Sequence, residues 1–160
     1  MLVVADSSPL IVLINIQHVD ILPRLFGEVI IPPEVSAELT LSNRPEPVRT
    51  FITSPPRWLL QQSPSVVKPI PMLHPGEVAA ISLALEIHAD LLLIDEVRGR
   101  KAAAAQGIRF TGTIAVLEQA ADKGLVDLED AFERIKKTDF WISHELLDVR
   151  LKLHRERGKT

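Results

Sequence analysis

The chain has 160 residues, 46% of them apolar and 24% charged, and contains no cysteine. That length can bury a core without staples, and the missing cysteine excludes a disulfide framework, a thiolate zinc site and a thiol nucleophile. The net charge of −3 speaks against binding a polyanion by bulk basicity, but it averages an acidic body of −7 over 1–149 and a basic tail of +4 over 150–160.

No apolar run approaches bilayer-spanning length and no basic region precedes the first apolar stretch, so the expectation is a soluble cytoplasmic protein without a membrane partner. Leu2-Val3-Val4-Ala5 is wholly apolar and stops at Asp6-Ser7-Ser8-Pro9, as when a buried strand meets a helix start. Segments 10–15 and 16–26 read as two short helices. Gly27 then breaks the pattern before Val29-Ile30-Ile31, a β-branched second strand. Pro32-Pro33 opens a third helix that runs to Leu39.

Segment 44–53 reads as helix, 58–62 as a strand, and the proline-rich 63–75 as an irregular loop. The clearest helix runs from Gly76 to Ile87, with Val78, Ile81 and Leu85 on one stripe. Leu91-Leu92-Leu93-Ile94 is another apolar strand that ends in acids, Asp95-Glu96. A helix over 97–106, a strand over 108–110 and a helix over 114–123 repeat the rhythm, and 128–137 and 143–155 read as two further helices. Apolar strands alternating with helices predict an α/β fold, a three-layer α/β/α sandwich around a mostly parallel sheet.

Ligands of such a sheet collect beyond the carboxyl ends of its strands. Asp6, Asp95 and Glu96 would project from that edge, Glu77 starts a helix entering from it, and Glu38 lies near the end of the helix after strand two. Carboxylates so gathered repel by roughly 4 kcal/mol per pair at about 4 Å and an effective dielectric near 20. Protons or a hard divalent cation can neutralise them, and oxygen-only ligands suit Mg²⁺ or Mn²⁺, which can activate water against a phosphodiester. Plainer roles stand beside this one. Asp6 can cap a helix, Glu77 can favour its helix's positive end, Glu38 can share a solvated face with Glu34, and Asp95-Glu96 can start a helix.

Taken together, Asp6-Ser7-Ser8-Pro9-Leu10-Ile11, Gly27-Glu28-Val29-Ile30-Ile31-Pro32-Pro33 leading to Glu38, Gly76-Glu77 with Ala80-Ile81, and Leu92-Leu93-Ile94-Asp95 followed by Arg98-Gly99-Arg100 resemble the PIN-domain superfamily. More narrowly they resemble its branch of nucleic-acid-binding proteins catalogued as a domain of unknown function, similar to VapC-type toxin nucleases. The resemblance implies a PIN-like core over 1–125, with helices of 126–160 completing the same single domain. It also implies a Mg²⁺- or Mn²⁺-dependent endoribonuclease, the toxin of a toxin–antitoxin pair, with RNA as substrate, an antitoxin encoded nearby as partner, and a homodimeric state.

Carried over residue by residue, Asp6, Glu38, Glu77 and Asp95 are the catalytic, metal-holding acids, and Glu96 supports a second metal. Glu77 stands one residue before the place where many members carry aspartate, which here is Val78. The hydroxyls of Ser7 and Thr113 would support the acids or a metal-bound water, with Thr113 read first as a helix cap. Arg98, Arg100 and Lys101 would contact RNA phosphates.

The alternative is a catalytically degenerate PIN module that binds RNA or a protein without cleaving. A receiver-like domain is weaker, because no acid pair follows strand one. Gly158-Lys159-Thr160 imitates the end of a phosphate-binding loop but lacks its upstream glycine and following helix, and the five histidines show no metal spacing. The basic tail reads first as a helix end with cations at the favourable pole.

Overall fold

Five short strands, β1 (Val3–Ala5), β2 (Val29–Ile31), β3 (Leu59–Gln61), β4 (Leu91–Leu93) and β5 (Phe110–Thr111), form one all-parallel sheet in the order β3-β2-β1-β4-β5. This is the sheet of a computed structural model that describes residues 1–158. Val3, Val4 and Ala5 are fully buried, as are Val29, Leu92 and Leu93, which is why these strands read as continuous apolar runs without alternation. The fold is α/β and PIN-like, with nine helices among the described residues.

From β1 the chain steps outward to β2 through α1 (Ser7–Asn15) and α2 (Ile21–Phe26), then to β3 through α3 (Pro33–Leu39) and α4 (Glu46–Thr53). It next crosses to the other side of β1 through α5 (Pro75–Glu86), forms β4, and reaches β5 through α6 (Val97–Ala105). With crossovers of one hand, this reversal of direction opens a crevice between β1 and β4 at the carboxyl edge.

The chain divides into two compact units, Met1–Thr113 and the segment from Ile114 onward. The second holds α7 (Thr113–Asp122) from its second residue on, α8 (Leu128–Lys136) and α9 (His144–Arg157). Asp127 caps α8 by accepting from the Asp130 N–H, and Ser143 caps α9 by accepting from the Leu146 N–H.

Much of the basic tail is spent inside this unit. The Arg150 guanidinium pairs with Glu118, Arg155 with Glu129 at 2.8 Å, and His154 Nδ1 lies 3.3 Å from Asp122. Lys152 is exposed; Lys159, and with it the Gly158-Lys159-Thr160 motif, lies outside the described residues. No described helix is long and apolar enough to cross a membrane.

Two of the expected boundaries move because a helix ends in a left-handed residue. The helix expected over 16–26 begins only at Ile21, since Gln17 takes φ +64° and the Gln17 and His18 N–H groups close α1 onto the Ile14 and Leu13 carbonyls. The last strand, expected over 108–110, is Phe110–Thr111. Gly107 at φ +74° ends α6, and the Ile108 N–H is used at 3.0 Å by the Ala103 carbonyl, so pairing with β4 starts only at the Arg109 carbonyl.

Candidate active site

Asp6 directly follows β1, and its backbone N–H donates to the Leu93 carbonyl at 2.9 Å, which fixes it at the crevice. It stands at the N-cap of α1 with extended backbone, yet its side chain makes no capping bond, so the plainer role does not account for it. The residue is 3% exposed and its Oδ1 has no hydrogen-bond partner. Burial pushes its carboxyl up to about 7; the Ser7 backbone N–H opposes this, and the charges of Glu38, Glu77 and Asp95 add to it.

Glu77 is the third residue of α5 and is buried. Its Oε1 accepts the His74 N–H at 3.1 Å, a reciprocal cap of the helix start, whereas Oε2 is buried without a partner. One oxygen thus fills the plain helix-end role and the other does not. Burial pushes its carboxyl up, the backbone bond and charge of His74 oppose this, and Glu96 and Glu38 raise it further.

Glu38, in the last turn of α3, is held at both oxygens. Oε2 accepts from Ser7 Oγ at 2.6 Å and Oε1 from the Gly76 N–H at 2.9 Å. A side chain at Gly76 would collide with this carboxylate, its Cβ falling 2.3 Å from Glu38 Oε1. Gly99 in α6 likewise leaves room for Glu77, whose Oε2 would lie 2.9 Å from a Cβ there. The sequence marks these two glycines only as parts of a pattern, and a glycine in a helix, where it costs stability, is the signal they carry.

Asp95 is engaged differently. Its Oδ1 accepts the Thr113 N–H at 2.7 Å, and its Oδ2 accepts Thr113 Oγ1 at 2.7 Å and Ser8 Oγ at 3.0 Å. It therefore ties the end of β4 to the starts of α1 and α7 and lies outside the cleft lining. Thr113 is fully buried. Thr113→Val, which keeps shape but removes one donor to this carboxylate, is expected to cost about 1–2 kcal/mol, read as a lowered urea midpoint at unchanged slope.

A cleft of about 540 Å³ is lined by Asp6, Ser7, Glu38, Glu77 and Glu96, together with Glu34, His74 and Arg44. Glu96 is exposed at the N-cap of α6. Of the cations expected to meet RNA, Arg98 and Lys101 are exposed on α6, and Arg100 is folded back. The Arg100 Nε donates to the Ile94 carbonyl at 2.9 Å, and its guanidinium lies 5.8 Å from the Phe110 ring centre and 3.9 Å from Asp95. Arg44 lines the cleft without having been singled out in the sequence.

Among the described residues, no three His, Asp or Glu side chains stand together so as to hold a metal ion. The donor chemistry nevertheless fits a hard divalent cation. Two buried carboxylate oxygens, Asp6 Oδ1 and Glu77 Oε2, lack partners within a cleft that five carboxylates line.

A family model described as a PIN domain, DUF3368, matches residues 2–156. No curated protein and no solved structure gives a significant match. The chain belongs to the PIN-domain family, whose members are generally nucleases that use divalent metal ions.

Proposed function

We propose that this chain is an endoribonuclease that depends on Mg²⁺ or Mn²⁺. The observation that carries the proposal is the pair of buried, unpartnered oxygens, Asp6 Oδ1 and Glu77 Oε2, beside a Glu38 fixed at both of its own. Buried polar atoms are nearly always satisfied, so two orphans of one sign call for a cation. Asp6 and Glu77 would hold it, with Glu38 completing the set once released from Ser7. When bound, a divalent ion supplies charge neutralisation and a water of lowered pKa for attack on the phosphodiester.

The rest of the chemistry belongs to the chain. Asp6 is placed by the β1–β4 ladder, Gly76 and Ser7 orient Glu38, and Asp95 ties Ser8 at the start of α1 to Thr113. With Mn²⁺, the purified protein should cleave a single-stranded RNA, chelation should stop it, Asp6→Asn should abolish cleavage and Asp95→Asn should lower it about 10–100-fold, while both variants still melt cooperatively. Equal cleavage by both variants overturns the reading.

The same reading extends to a toxin held by an antitoxin from a neighbouring gene, acting as a homodimer. Its support is the motif pattern and an apolar stripe on α9, where Leu146, Val149 and Leu153 are all about half exposed. Co-purification with the neighbouring gene product and sedimentation of the chain alone test the two points. The competing reading, a PIN module that binds without cutting, is favoured by the absence of a ready three-residue metal cluster among the described residues. Calorimetric titration with Mn²⁺ separates the two, since the enzyme binds it and the degenerate module does not.

A further inference from the structure

Five acids line the cleft, Asp6, Glu34, Glu38, Glu77 and Glu96, against one permanent cation, Arg44. Even with a divalent ion bound, a phosphodiester entering this cleft meets an excess of negative charge. Phosphate entry therefore depends on where the remaining positive charge is and whether it is already committed.

Arg44 is uncommitted in charge and committed in position. It makes no ion pair among the described residues, whereas Arg100, Arg150 and Arg155 all do. Its Nε donates to the Glu38 backbone carbonyl at 3.1 Å, its own N–H donates to the Leu41 carbonyl at 3.0 Å, and its carbonyl accepts Arg49 Nε at 3.1 Å. The Nε bond restrains the guanidinium at the cleft lining and leaves both terminal amino groups for a ligand. A planar, pre-oriented guanidinium matches two phosphate oxygens, and fixing it in advance lowers the entropy lost on binding.

We propose that Arg44 is the phosphate-contacting residue of the cleft, donating its two terminal amino groups to the non-bridging oxygens of a single-stranded RNA phosphodiester. The inference rests on the nuclease reading and adds to it the group that admits the substrate, a role expected from sequence for Arg98, Arg100 and Lys101.

The test is binding, so that it does not depend on cleavage. A fluorescein-labelled, 2′-O-methyl single strand, which resists hydrolysis, is titrated with the full chain and followed by anisotropy across a salt series. Arg44→Ala should weaken binding about tenfold and lower the slope of log affinity against log salt by about 0.7, one phosphate contact on a single strand. Arg44→Lys should restore the slope but not the full affinity, since it keeps the charge and loses the fork. Arg24→Ala, an exposed cation on α2 away from the cleft lining, should change neither.

Unchanged affinity and slope in an Arg44→Ala protein that melts like wild type overturn the inference, as does a wild-type chain that does not bind the strand. A wild-type chain that binds through Arg44 but cleaves no RNA with Mn²⁺ overturns the nuclease reading alone and upholds the contact.

Discussion

Asp6→Asn is expected to abolish cleavage and stabilise the metal-free fold in the same step. The activity loss should be roughly 10³-fold or more, above the 10–100-fold that follows removal of a group supporting a metal ligand. The stability gain follows from linkage. Asp6 is raised from 3.8 to about 7 in the folded chain, so between those values the native state holds a proton that the unfolded chain releases.

Stability contributed by that proton is complete below about pH 4 and is lost as pH rises through about 7. Over the whole interval the loss is on the order of 4 kcal/mol, taken as an upper bound. Asparagine carries no proton to lose, so the variant should outlast wild type in urea at pH 8 and converge with it near pH 4. Mn²⁺ should narrow the gap by stabilising the ionised wild-type site, by about 2.7 kcal/mol at a hundredfold excess over its dissociation constant, with little effect on the variant. Parallel denaturation curves for both proteins from pH 4 to 8 would show that Asp6 does not titrate as stated.

Gly76→Ala is expected to separate activity from stability. The three atoms nearest a Cβ there all belong to the carboxylate of Glu38, and a glutamate end group can swing away. The Gly76 N–H remains, and alanine at a helix position gains up to about 1 kcal/mol over glycine, so the melt should hardly move. Displaced from Ser7 and from the α5 backbone, Glu38 loses its place in the cleft. Cleavage should fall about 10–100-fold, as for other losses of ligand support. Unimpaired cleavage by this variant would remove Glu38 from the active site.

These two positions also show what the sequence could and could not disclose. Asp6 and Asp95 were readable because wholly apolar runs, Val3-Val4-Ala5 and Leu91-Leu92-Leu93-Ile94, stop abruptly at acids, and parallel strands carry their chemistry at that end. That Asp95 turns to Ser8 and Thr113 while Asp6 and Glu77 keep free oxygens depends on contacts between residues 18 to 87 apart and more, which no local pattern encodes. The same limit explains the boundaries. Gly107 announces the end of α6, but Gln17 ends α1 in the left-handed region without a glycine to mark it, so the residue pattern runs on as helix through the following turn.

The strand order also governs when the site can exist. β1 closes against β4 through Val4 and Leu92, 88 residues apart, and a separation of that size makes the pairing slow. A chain emerging from the ribosome completes β1, β2 and β3, with Asp6 at an open sheet edge, well before residue 95 is made. Glu96, which follows β4, joins Asp6, Glu38 and Glu77 only when the centre of the sheet shuts. The complete cleft is therefore a late product of synthesis, whatever the order in which its parts were made.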